Sequence, residues 1–165
     1  ISILVCHMPS QMNSRAYMAA ALASLYAFAD ALHAAEPVLP VVAMGYFNTS
    51  PSERVMTTHF PTDAGVSETA GIIFSPFAGL AAQGQGTYCY NDRWLMYDNI
   101  FLSHHFSRGN GIQYTSCGVF IRRYMLTQEQ GSRRGYPLRT FSAGRWLDGY
   151  SDHLPVFVVL DIPAR

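Results

Sequence analysis

At 165 residues the chain is long enough for one domain with a core of its own and too short to expect two. Lys and Arg balance Asp and Glu at 11 each, which excludes a bulk electrostatic pull toward nucleic acid or an anionic membrane. Charged residues make up only 13 % of the chain against 49 % apolar, where an average soluble domain carries roughly 25 % charge, so a large apolar face is expected to be covered by something else.

The basic doublets Arg122-Arg123 and Arg133-Arg134 read as solvated loop charges. No run of about 18 apolar residues is present, so no membrane span is expected. Ile1 to Val5 form a short β-type run without the basic stretch that opens a signal peptide. Cys6, Cys89 and Cys117 are odd in number and lack metal-type spacing, which argues against a disulfide framework and a zinc site and leaves the compartment open.

In chain order, Ile1 to Cys6 predicts a buried strand ending at His7, and Met8 to Met12 a loop around Pro9. Asn13 or Ser14 is placed to cap a helix running to about Ala35, with Met18, Ala21, Leu22, Leu25, Phe28, Ala29 and Leu32 on one stripe and Glu36-Pro37 as its stop. Val38 to Met44 predicts a second strand, interrupted by Pro40 and ending in Gly45-Tyr46-Phe47-Asn48. Ser50-Pro51-Ser52-Glu53 has the spacing of a capping box, which predicts a short helix over about Pro51 to Thr58.

Phe60 to Gln85 is Gly-, Ala- and Ser-rich and gives no clear assignment. Thr87 to Tyr90 and Tyr97 to Ser103 read as two strands around a turn at Asn91-Asp92. Arg108 to Gly118 reads as loop, Val119 to Leu126 is ambiguous, and Gln128 to Pro137 is a polar loop. After the approach over Thr140 to Tyr150, Val156 to Leu160 predicts a last strand apolar enough to be buried on both faces. Strands mixed with two helices place the chain in the α/β or α+β class with a mixed sheet.

Polar groups recur where strands end: His7 after the first, Asn48 after the second, Asp98 at the fourth, and Asp152-His153 before the last. Polar side chains gathered at the strand ends of one sheet are the usual geometry of a site.

In order and spacing these segments resemble the endonuclease/exonuclease/phosphatase superfamily, the DNase I-like fold. His7-Met8-Pro9-Ser10 is similar to its His-Trp-Pro-Ser segment, Met44 to Asn48 to its Gly-Asp-Phe-Asn, and Trp94 to Ile100 to the strand whose Asp supports the catalytic His. Ser151 to Pro155 resembles the terminal signature, and Leu138 to Phe141 with Gly149-Tyr150 the approach to it. The resemblance implies half of a four-layer αββα sandwich, one mixed sheet with helices on its outer face, as a single domain over residues 1–165.

For function it implies phosphodiester or phosphomonoester hydrolysis, with a substrate class that the loops do not reveal. His153 would contact the phosphate and position or deprotonate water, with Asp98 fixing its tautomer. Asp152 would hold Mg²⁺ or Mn²⁺, Asn48 would donate its amide to a phosphate oxygen, and His7 would stabilise transition-state charge.

Two departures stand against that pattern. Tyr46 occupies the position of the family's Asp, and a phenol with an ordinary pKa near 10 is neutral at pH 7 and no base. The half of the family domain that precedes the His-Trp-Pro-Ser strand, with its metal-binding Glu, has no counterpart in these residues. One sheet with helices on one side has a bare inner face, so the expected partner is a second copy of the chain or a complementary N-terminal half; a fragment of a longer chain is the third possibility. The opposing function is a catalytically weak relative acting as a binding or structural module.

Overall fold

A computed structural model describes residues 1–60, 73–107 and 111–163. Its centre is a four-stranded mixed sheet in the order β1 (Ser2–His7), β2 (Val41–Tyr46), β6 (Asp98–Ser103), β3 (Ile73–Phe74). β1 and β2 are parallel and joined by the crossover helix α1 (Arg15–Ala35); β6 runs antiparallel to both β2 and β3. The mixed α/β class expected from the sequence is what forms.

The Ser14 hydroxyl caps α1, accepting from the Tyr17 backbone N–H at 3.2 Å. Met18, Leu22 and Ala29 pack onto the sheet with Leu4, Cys6, Ala43 and Phe101. Phe101 meets Phe47 and Phe60 at ring-centroid distances of 4.7 and 5.0 Å, closing this core. By length and composition alone α1 could cross a membrane, a pattern the absence of a purely apolar run did not bring out; Met18, Leu22 and Ala29 of its predicted stripe are core, whereas Phe28 is 56 % exposed.

The other face of the sheet carries a smaller cluster of Val42, Phe74, Leu102 and Phe106 with Ile100, Tyr114 and Leu160 against it. That cover stops short of β1, whose Ile3 and Val5 are 57 % and 77 % exposed on the edge of the sheet. Ile3 and Val5 thus leave an exposed apolar edge on this face of the sheet.

Several boundaries differ from the sequence expectation. β2 starts after Pro40, not at Val38, because Leu39 N–H donates to the Glu36 carbonyl and closes a turn over Val38; the ladder to β1 begins where the Pro40 carbonyl accepts from Ser2 N–H. The capping box is half made: the Glu53 carboxylate accepts from Ser50 N–H at 3.3 Å, but Ser50 Oγ turns to Ser52. The helix shortens accordingly to α2 (Arg54–Thr57). The previously unassigned stretch contributes β3 and α3 (Ala78–Ala82); its residues 61–72 lie outside the described residues.

The turn at Asn91-Asp92 joins β4 (Tyr88–Tyr90) to β5 (Arg93–Leu95), not to the strand at Asp98, because both turn residues adopt positive φ and close a tight hairpin. Residues expected as loop form β7 (Gln113–Val119), which pairs antiparallel with β10 (Val156–Asp161). β10 is not buried on both faces: as one strand of a two-stranded ribbon it leaves Phe157 41 % and Val159 45 % exposed. A small hairpin, β8 (Phe141–Ser142) with β9 (Arg145–Trp146), precedes it.

Candidate active site

Register builds the site. His7 is paired with Tyr46 across β1 and β2, and Tyr46 with Asp98 across β2 and β6. Cross-strand partners share a face, so the three stand in one polar row at the strand ends. The rows beside it are apolar: Val5, Met44 and Ile100, then Ile3, Val42 and Leu102. Gly45 makes the row possible. Its φ is +141°, and a Cβ there would land on the Cys6 carbonyl oxygen, so only glycine lets β1 and β2 approach at this point.

His153 reaches the row from the segment before β10. It forms a β-bridge with Tyr88, and the next residue, Leu154, donates its N–H to the Thr87 carbonyl at 2.8 Å. The hydroxyl of the same threonine, fully buried, accepts from Asp98 N–H at 3.2 Å. The His153 and Asp98 backbones are thereby fixed together, and His153 Nδ1 donates to Asp98 Oδ2 at 2.6 Å. In the neutral ring, a carboxylate acceptor assigns the proton to Nδ1 and leaves the lone pair on Nε2. Both side chains are about one-fifth exposed, at 20 % and 21 %.

Aromatic rings frame the imidazole. Tyr88 stacks on it at 4.8 Å and 22°, and Tyr46 meets it edge-on at 4.6 Å. His7 lies 5.2 Å from the Tyr46 ring on the other side. Burial, followed by the nearby Asp98 carboxylate, pushes the Tyr46 phenol up to about 12. Tyr46 is thus a neutral hydrogen-bond donor and not a replacement base.

Asp152 faces Arg139, whose Nη2 lies 3.8 Å from its Oδ2 and 3.3 Å from the Tyr88 hydroxyl. Gly149 holds this corner: a Cβ there would collide with the Leu138 and Arg139 carbonyls. Asn48, 4 % exposed with φ 55°, donates one amide hydrogen to the Met8 carbonyl at 2.9 Å. It ties the loop after β1 to the loop after β2, and Gln11 reinforces the tie by donating to the Asn48 carbonyl and to the Tyr97 hydroxyl.

His153, Asp98, Tyr46, His7 and Asp152 therefore belong to one neighbourhood, while Asn48 serves first as a loop tie. Sequence reasoning missed Tyr88, Thr87, Arg139 and Gln11. Only Arg139 had a signal, inside the Leu138 to Phe141 segment. The others are brought in by the β4–β5 hairpin and by the loop after β1, contacts that carry no local pattern.

A carboxylate-held imidazole, a neutral phenol and an arginine thus stand together at the strand ends of a mixed sheet. The sequence matches the model of the Endonuclease/Exonuclease/phosphatase family over residues 1–162, and the chain belongs to that family. No curated protein is significantly similar to it in sequence.

Among solved structures, a mannosyl-6-phosphatase of Bacteroides thetaiotaomicron superposes with a TM-score of 0.53 at 16 % identity, over 97 % of this chain and 51 % of its own. A family protein of the same organism gives 0.52 at 16 %, over 96 % and 47 %. A conserved protein of unknown function from Enterococcus faecalis gives 0.52 at 14 %, over 98 % and 50 %. These likenesses show the DNase I-like fold, and the chain spans about half the length of each.

The resemblance to this family implies Mg²⁺ or Mn²⁺ held through Asp152. A hard cation needs several oxygen ligands held together. Here Asp98 is committed to His153, Asp152 faces Arg139, and Tyr46 keeps its proton. Among the described residues no three His, Cys, Asp or Glu side chains form a set that could hold a metal ion. These residues do not by themselves fit the ion that the family implies.

Proposed function

We propose that the protein hydrolyses phosphoesters with the His153–Asp98 dyad as its acid–base device. The observation that carries this reading is the 2.6 Å bond that fixes the imidazole tautomer. His153 Nε2 takes a proton from the attacking water as its oxygen bonds to phosphorus; the ester P–O bond breaks, and the same proton passes to the departing oxygen. Asp98 stabilises the imidazolium formed between these steps. His7, Arg139 and the Tyr46 hydroxyl oppose the charge that develops on the phosphoryl oxygens. The second Asn48 amide hydrogen is the one available to a phosphate oxygen.

A resident Mg²⁺ or Mn²⁺ would supply charge neutralisation, and Asp152 is the carboxylate of this chain we assign to it, with its other ligands drawn from elsewhere.

The open face of β1 supports a further part of the proposal: a second β-layer covers Ile3 and Val5, contributed by another copy of the chain or by a complementary N-terminal half. Each Å² of apolar surface so covered is worth about 25 cal/mol.

The test is hydrolysis of bis(p-nitrophenyl) phosphate and p-nitrophenyl phosphate, with and without Mg²⁺ or Mn²⁺, by wild type, His153→Ala and Tyr46→Asp. Activity that disappears in His153→Ala supports the proposal. Inactivity of wild type and Tyr46→Asp alike favours the second reading, a binding module, for which the observation is the neutral Tyr46 where a carboxylate belongs.

A further inference from the structure

Beside the dyad lies a cleft of about 520 Å³, lined by Gln11, Tyr90, Asn91, Arg93, Leu95 and Tyr97. Tyr97 is the wall it shares with the site. Its ring lies 6.1 Å from Tyr88 and 6.2 Å from Tyr46, the two rings that touch His153. A molecule with its phosphate at the imidazole therefore has room for its remainder one aromatic ring away.

The hairpin sets the charge of this cleft. Asn91 and Arg93 line it, and Asp92 between them does not. The Asp92 carboxylate instead accepts from the Tyr136 hydroxyl at 2.7 Å, and its N–H donates back to the same oxygen at 2.7 Å. The one carboxylate of the turn is thus held by a residue outside the cleft, and among the described residues Arg93 has no ion-pair partner. Burial raises the Tyr97 phenol, so its hydroxyl, already accepting from Gln11, retains a proton to donate. The lining presents a guanidinium, two amides and two phenols around Leu95, with no acidic side chain among them. Glu53 acts on the Tyr97 phenol from outside the lining, so the selection rests on Arg93 alone, whose guanidinium fork suits phosphate or carboxylate.

We propose that this cleft binds a second anionic group on the substrate, so that the preferred phosphoesters carry a phosphate or carboxylate on the part of the molecule remote from the scissile bond. The inference rests on the hydrolytic reading for the word substrate, but the cleft's selectivity is measurable without turnover.

The experiment is calorimetric titration of the full chain with fructose 1,6-bisphosphate and with fructose 6-phosphate, using wild type, Arg93→Gln and Arg93→Lys, with phosphate release measured in the same samples. Wild type is expected to prefer the bisphosphate by about tenfold or more, the value of one charge-assisted contact. Arg93→Gln is expected to bring the bisphosphate down to the monophosphate's affinity, and Arg93→Lys to restore part of the difference. Equal binding of the two sugars by wild type, a preference that survives Arg93→Gln, or binding of neither overturns the inference. Preference without phosphate release overturns the hydrolytic reading and leaves the cleft standing; release without preference does the reverse.

Discussion

His153 and Asp98 meet at 2.6 Å although they lie far apart in the chain: Asp98 opens β6 in the four-stranded sheet, and His153 sits in the segment before β10 of the β7–β10 ribbon. Docking of the ribbon segment creates the dyad, and the two side chains act as one device. His153→Ala and Asp98→Asn are each expected to lower phosphoester hydrolysis by about 10²–10⁴-fold, and the double variant by little more than the worse single one. Initial rates on p-nitrophenyl esters check this; additive losses would show that the residues act independently.

Tyr46 gives a pH signature. Its phenol titrates near 12 in the fold against about 10 when unfolded. Between those values the unfolded chain has lost the proton and the folded chain has kept it. The stability linked to this group is therefore complete below about pH 10 and disappears as pH rises through 12. Ultraviolet titration of wild type and Tyr46→Phe should differ by one phenol ionising at the alkaline end. A missing phenol that titrates near 10 would contradict the burial that raises it.

Gly45 and Gly79 make a matched pair. Gly45→Ala drives a Cβ into the Cys6 carbonyl at a positive φ and is expected to cost about 2 kcal/mol or more. Gly79, within α3, has nothing within 4 Å of an added Cβ. Gly79→Ala is expected to be neutral or to stabilise by up to about 1 kcal/mol. Urea denaturation of both variants measures the contrast.

The exposed β1 face predicts association. Wild type at tens of micromolar should sediment above monomer mass, and Val5→Lys, with a charge at a position 77 % exposed on this face, should return it to monomer. A monomeric wild type would turn the search toward a complementary half-domain as the cover.

The scarcity of carboxylates predicts weak metal binding by this chain alone. Titration with Mg²⁺ should give no saturable site tighter than the millimolar range, and chelator should leave the melting temperature unchanged. A micromolar site would mean that side chains beyond Asp152 assemble around the ion.

Much of this arrangement was legible in the residues. Most of the α1 stripe, Phe28 excepted, the Ser14 cap, the turn at Asn91-Asp92 though not its second strand, and the strand-end positions of His7, Asp98 and His153 carry local patterns that the structure realises. What escaped has a common cause. β7 is built from Gln-Tyr-Thr-Ser-Cys-Gly-Val, which has neither alternation nor an apolar run, and it becomes a strand because β10 supplies a partner. β10 looked doubly buried because its composition is apolar, yet a ribbon at the margin of a fold has one face to cover. Asn48 was read for its amide chemistry, and no local pattern indicates that the Met8 carbonyl takes one of its hydrogens.

Thr87 carries no chemistry, yet its carbonyl and hydroxyl anchor the main chain on both sides of the dyad. The site's spacing is thus inherited from a single hinge pin and not negotiated between two mobile side chains. Displacing that pin should leave acid and imidazole chemically intact but out of step, so the site would fail as a unit well before the sheet melts.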